Sequence, residues 1–144
     1  MMYRVGSPEE TRALAARLAK TLNAGDIVLL SGPLGAGKTE FTRGLAEGLA
    51  CDEPVSSPTF ALMHLYHGGR LPLAHLDLYR LESVDLYELG ADDISGESVL
   101  AIEWPERLAR SEPEAIDVRI AIEEDGARTI SLSRDIPKAG ASPC

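Results

Sequence analysis

Apolar positions along the chain repeat with two different periods, and the switches between those periods divide it into elements. Leu14, Ala15, Leu18 and Leu22 recur at helical spacing, the buried stripe of an amphipathic helix. Ser7 supplies an N-cap for that helix, Pro8 suits its first position and Glu10 completes a capping box. Asn23-Ala24-Gly25 ends it. Residues 27–30 form an unbroken apolar run, the pattern of a strand covered on both faces. Phe41, Leu45 and Leu49 return to helical spacing, and this second helix is expected to end near residues 48–50.

Two β-prone runs, 60–66 and 71–77, flank His67-Gly68-Gly69-Arg70, whose paired glycines predict a hairpin turn. Pro72 fits a strand start or an edge position. Residues 83–89 read as a short helix closed by Gly90, with an acidic loop over 91–97. Residues 98–102 are a second buried-strand run. Trp104-Pro105 turns the chain, and 106–109 predict one helical turn. Ile116, Val118, Ile120 and Ile122 alternate with Asp117, Arg119 and Ala121, a half-buried strand that Asp125-Gly126 turns back through Ile130 and Leu132. The Pro, Gly, Ala and Ser that follow read as a frayed end. The pattern therefore predicts a single domain over 1–132, a flexible tail over 133–144, and an α/β fold with a mixed parallel and antiparallel sheet flanked by helices.

Composition narrows the function classes. A chain of 144 residues can bury one core without staples. The net charge of −9 disfavours autonomous nucleic-acid binding, which needs clustered Lys and Arg against phosphate. Any RNA is therefore expected on a partner. No apolar run is long enough to span a membrane, and the first residues lack a signal-peptide core, so the expected location is the cytoplasm. Cys51 and Cys144 lack a metal-ligand pattern and read as free thiols. His64, His67 and His75 offer no zinc spacing.

The chemistry sits between the first buried strand and the second helix. Gly32-Pro33-Leu34-Gly35-Ala36-Gly37-Lys38-Thr39 matches G-x-x-x-x-G-K-[ST], the Walker A or P-loop pattern, in its strand–helix context. Triphosphate oxygens must meet a row of backbone N–H groups at close range, and Gly32, Gly35 and Gly37 leave that backbone bare. The helix opening near Lys38 adds unpaired N–H groups and the positive end of its dipole. Lys38 brings a cation to the β- and γ-phosphates, and the Thr39 hydroxyl can ligate Mg²⁺.

Two acids end buried runs downstream. Asp77 closes the second β-prone run, as a Walker B aspartate would, and Glu103 sits at the carboxyl end of the 98–102 run. In open α/β sheets that end of a strand faces the ligand. Ser56, Ser57 and Thr59 lie in the loop after the P-loop helix, where a γ-phosphate-sensing switch would lie, though a plain Ser/Pro linker also fits.

The P-loop, Ser57-Pro58-Thr59-Phe60, His75-Leu76-Asp77-Leu78-Tyr79-Arg80-Leu81 and Ile102-Glu103-Trp104-Pro105 occur in this order. As a set they resemble the TsaE (YjeE) family, small P-loop ATPases of tRNA threonylcarbamoyladenosine biosynthesis, over nearly the whole chain. The resemblance implies a P-loop NTPase-like three-layer fold and slow, Mg²⁺-dependent ATP hydrolysis. It implies action with TsaB and TsaD in threonylcarbamoylation of adenosine 37 of tRNAs reading codons that begin with adenine, with TsaD performing the transfer. Contact with tRNA would be indirect, through that complex. By matching motifs, Gly35, Ala36, Gly37, Lys38 and Thr39 would hold the phosphates, with Glu40 among the nucleotide contacts. Thr39 and Glu103 would ligate Mg²⁺. Lys38, Asp77 and Glu103 would be catalytic, Thr59 would lie in a switch, Trp104 beside the nucleotide and Thr11 near its adenosine end. Phe60 stands where Tyr is common in the family.

Which of Asp77 and Glu103 positions the attacking water is left open. Arg80 is a candidate arginine finger or a structural ion-pair partner. Three other readings compete. A small-molecule kinase would need a lid and an acceptor pocket, for which the chain leaves little room. A GTPase-like switch would need N-K-x-D, but the sole asparagine is Asn23. A structural subunit with a vestigial P-loop would show no ATP-dependent change in partner affinity.

Overall fold

The computed structural model describes residues 1–51, 63–79, 81–86, 96–109, 112, 114–134 and 136. In chain order the elements are β1 (Met2–Val5), α1 (Pro8–Ala19), β2 (Ile27–Ser31), α2 (Lys38–Gly48), β3 (Met63–Tyr66), β4 (Leu73–Asp77), β5 (Val99–Glu103), a 3₁₀ turn (Pro105–Arg107), β6 (Ile116–Ile122) and β7 (Arg128–Leu132). The seven strands form one sheet in the order β1-β7-β6-β2-β5-β4-β3. The four central strands run parallel, and β1, β7 and β3 are antiparallel additions at the two sides. This is the mixed α/β sheet that the periodicity predicts.

Period-two alternation divides the central strands between two cores. Val28 and Leu30 of β2 and Val99 and Ala101 of β5 face α1 and α2, where Leu14, Leu18, Phe41, Leu45 and Leu49 are buried. Leu29, Leu100 and Ile102 face the other way, onto Leu78, Val84, Leu108 and Ala115. Each large apolar side chain so buried contributes about 1.5–3 kcal/mol. Among the described residues both α-helices therefore lie on one face of the sheet, and the opposite face is covered by turns and the 3₁₀ segment. No helix among the described residues is long and apolar enough to cross a membrane.

The start of α1 follows its sequence signals. The Ser7 hydroxyl accepts from Glu10 N–H, and the Glu10 carboxylate accepts from Gly6 N–H. Its far end is closed by a residue that the sequence reading left in a turn. The Arg70 guanidinium donates to Ala19 O and Leu22 O at 2.9 and 2.8 Å, a cation on the negative end of a helix.

The backbone adds one strand to the sequence reading and corrects one helix. The strand β1 has no counterpart in the sequence reading. It pairs Met2 with Ser131 and Val5 with Arg128, and the Met1 ammonium donates to Leu132 O. The helix expected over 83–89 does not form in its described part. Val84 instead bridges Leu108, donating to Arg107 O and accepting from Ala109 N–H, so its backbone polar groups are satisfied without a helix. Residues 87–90 lie outside the described set. Beyond Leu132, Ser133 exchanges two hydrogen bonds with Asp117, and Ile136 is buried in the helix-side core. Residues 137–144 lie outside the described set.

Candidate functional site

The P-loop leaves β2 at Gly32 and enters α2 at Lys38. Gly32 lies so close to β6 that a Cβ there would stand 2.6 Å from Ile120 O. Gly37 caps α2 with φ +113°, a left-handed conformation that L side chains rarely adopt. Gly37 brings no side-chain cap to α2, and the positive end of the helix dipole there suits an anion.

Lys38 is buried for a lysine, at 5% exposure. Its Nζ donates to Gly32 O at 2.8 Å and lies 3.8 Å from the centroid of the Trp104 ring. Burial lowers its pKa from the usual lysine value, opposed by the nearby Glu103 and Asp77 carboxylates. A cation stripped of water in this way gains most from an anion brought to it.

The acids arrive by register. In the parallel ladder Asp77 is opposite Glu103, and Glu103 is opposite Leu30. All three stand at the carboxyl ends of adjacent strands, beside the loop that follows β2. Alternation sends His75, Asp77 and Glu103 to the α2 side of the sheet, together with Leu73, Val99 and Ala101. Burial raises the Asp77 pKa and Glu103 repulsion raises it further, while the Tyr79 N–H donated to Asp77 Oδ1 works against the rise. Glu103 is 4% exposed, and its Oε2 lies 2.6 Å from His75 Nε2.

Trp104 closes one side. Its φ and ψ of 61° and 54° are left-handed, an outlier for a bulky residue ahead of proline. It is held there by its N–H on Leu30 O and by the Tyr79 ring at 5.0 Å. Leu34, Lys38, Thr39, Asp77, Glu103 and Trp104 thus share one open cavity of about 410 Å³. A smaller cavity of about 170 Å³ lies on the other side of Gly35 and Gly37, walled by Thr11, Glu40 and Arg128.

A family model described as "Threonylcarbamoyl adenosine biosynthesis protein TsaE" matches residues 5–131. The chain belongs to the TsaE family. It is 42% identical to the tRNA threonylcarbamoyladenosine biosynthesis protein TsaE of Nostoc sp. over 87% of this chain and 80% of that one. It is 39% identical to the Bacillus subtilis protein of the same description over 92% and 85% of the two chains. A crystal structure of Bacillus subtilis YdiB superposes with a TM-score of 0.73 at 35% identity, covering 92% of this chain and 83% of that one.

Against the motif set that pointed to TsaE, the structure brings Lys38, Thr39, Asp77, Glu103 and Trp104 to one cavity and puts Thr11 in the smaller one. The Glu40 side chain is engaged by Arg12 at 2.7 Å and by Arg43, so its backbone N–H, not its carboxylate, is its means of holding an anion. Thr59 and Arg80 lie outside the described residues. The Thr39 hydroxyl and the two carboxylates are hard oxygen donors around one cavity. That donor set fits Mg²⁺, which takes one or two carboxylates and completes its shell with phosphate and water. Two residues escaped the sequence reading. His75 was visible in the motif but carried no role. Arg128 reads as an ordinary strand residue, because the carbonyls it binds are 92 and 93 positions away.

Proposed function

We propose that this chain is an ATP-binding, slowly ATP-hydrolysing accessory protein in the formation of threonylcarbamoyladenosine at position 37 of tRNAs that read codons beginning with adenine. It works in the cytoplasm with TsaB and TsaD, meets tRNA only through them, and leaves the transfer itself to TsaD. The observation that carries the nucleotide half of this reading is the convergence of Asp77 and Glu103 on Lys38 at the N-terminus of α2. Family membership carries the tRNA half.

Phosphoryl transfer to water needs stabilised charge on the γ-phosphate and an oriented nucleophile. Backbone N–H groups of residues 35–39 would cradle the phosphates, and Lys38 would exchange its bond to Gly32 O for their oxygens. Thr39 and Glu103, with Asp77 nearby, would hold Mg²⁺, which when bound neutralises charge on the β- and γ-phosphates. Asp77 or Glu103 would orient the water. Trp104 and Tyr79 would wall the phosphates from solvent and sharpen these electrostatics. Lys38 is the sole cation among the described residues lining this cavity, a charge balance that suits a slow intrinsic rate.

The test mixes the purified chain with TsaB, TsaD and substrate tRNA in ATP, a non-hydrolysable analogue or ADP. The expected result is nucleotide-dependent affinity for the complex and sustained modification only with ATP. Equal modification under all three conditions, or no ATP binding by the chain, would reject the reading.

A further inference from the structure

The P-loop rests on the hairpin of β6 and β7, and one side chain of that hairpin grips it. Arg128, the first residue of β7, donates from Nε to Ala36 O at 3.0 Å and from one terminal nitrogen to Gly35 O at 3.2 Å. Its other terminal nitrogen donates to Gly126 O, at the hairpin's own turn. One planar guanidinium thus joins the turn to two consecutive P-loop carbonyls. The loop's first glycine leans on the same hairpin, at Ile120 O.

The consequence follows from peptide geometry. No peptide bond among the described residues is cis, and in a trans peptide the C=O of one residue is antiparallel to the N–H of the next. Fixing Ala36 O on Arg128 therefore aims Gly37 N–H away from Arg128. A rigid row of such N–H groups makes an anion-binding nest, and a row that can flip does not. We infer that Arg128 is a positioning residue for the nucleotide. It holds the carbonyls of Gly35 and Ala36, so that Gly37 N–H is set for phosphate before ATP arrives, while Ala36 N–H is already donated to Pro33 O within the loop. The hairpin at the end of the domain thereby controls nucleotide affinity without touching the phosphates.

This inference rests on the loop being the ATP site, so the experiment separates the two. The full chain, R128A, R128K and K38A are titrated with ATP and ADP by calorimetry, and steady-state hydrolysis is measured. R128A is expected to bind both nucleotides about tenfold more weakly, because charge-assisted hydrogen bonds are lost, and to raise KM more than it lowers kcat. R128K is expected to fall between, since an ammonium cannot span two carbonyls as a planar fork does. Hydrogen–deuterium exchange of the unliganded proteins supplies a readout apart from binding. In R128K the amides of residues 34–39 should exchange faster while β2, β5 and α1 keep wild-type protection. This measurement decides the matter if R128A folds poorly. Wild-type affinity in R128A, or unchanged exchange at the loop in R128K, overturns the inference. If the wild-type chain binds neither nucleotide, the ATP reading itself fails.

Discussion

His75 Nε2 and Glu103 Oε2 stand 2.6 Å apart on neighbouring parallel strands, with the imidazole fully buried. The other ring nitrogen, Nδ1, has no hydrogen-bond partner among the described residues. The contact occupies one carboxylate oxygen of Glu103, a residue that lines the cavity. His75→Ala would remove the partner of the buried Glu103 side chain, and leaving a buried polar group unsatisfied costs about 1–3 kcal/mol. The expected outcome is a large fall in the urea midpoint, with partial recovery in His75→Gln, which restores a donor. A midpoint unchanged in His75→Ala would show that Glu103 is oriented by something else.

Asp77 carries the opposite balance, because burial and Glu103 both work against its charge. Its native pKa lies above its ordinary value of 3.8. Between those two values the native state binds more protons than the unfolded state, so stability falls as pH rises through that window. At neutral pH the ionised Asp77 therefore costs the unliganded protein stability. Asp77→Asn keeps an acceptor for Tyr79 N–H and removes the charge. It should melt higher than wild type at pH 7, converge with it below the ordinary carboxylate range, and hydrolyse ATP more slowly. A pH-independent difference in melting temperature would exclude this origin.

The grouping of Lys38, Thr39, Asp77, Glu103 and Trp104 around one cavity was largely legible in the sequence because its parts are local. A glycine-rich loop between a strand and a helix needs no long-range knowledge, and neither do acids that end apolar runs. What escaped notice depends on tertiary placement. Arg128 and Arg70 act on carbonyls distant in sequence. Met2–Val5 is too short to signal a strand alone and becomes one by pairing with β7. Residues 83–86 carried a helical pattern, but Val84 satisfies its backbone against the 3₁₀ segment instead. Tertiary pairing outweighed local propensity there.

The contact between α1 and α2 was equally hidden. Gly48 read only as a helix end, yet Gly44 and Gly48 lie one turn apart and let α2 approach Ala15 and Ala19 of α1 closely. A Cβ at Gly44 would stand 2.3 Å from Arg12 O and 2.6 Å from Ala15 Cβ. Backbone cannot yield as a flexible side chain would, so the helices must separate, and overpacking of this kind costs about 1–3 kcal/mol. Gly44→Ala should lower the urea midpoint at an unchanged m-value. Gly96→Ala, where an added Cβ meets nothing within 4 Å among the described residues, should stay within about 0.5 kcal/mol of wild type. Equal stabilities in the two variants would contradict the close approach.

Lys38 over Trp104 supplies a direct optical report on the loop. Trp104 is the sole tryptophan, and a cation 3.8 Å from its ring centroid perturbs its excited state. If Lys38 leaves Gly32 O and the ring for phosphate, emission must change when ATP binds. Lys38→Ala should alter the resting spectrum, abolish the ATP-dependent change and remove hydrolysis. The same variant should leave the unliganded fold intact, because the ammonium it deletes is a desolvated one whose burial lowers its pKa. Titrating ATP into both proteins while following tryptophan emission checks this. An ATP-dependent signal of wild-type size in Lys38→Ala would mean that the nucleotide does not draw on Lys38 at all.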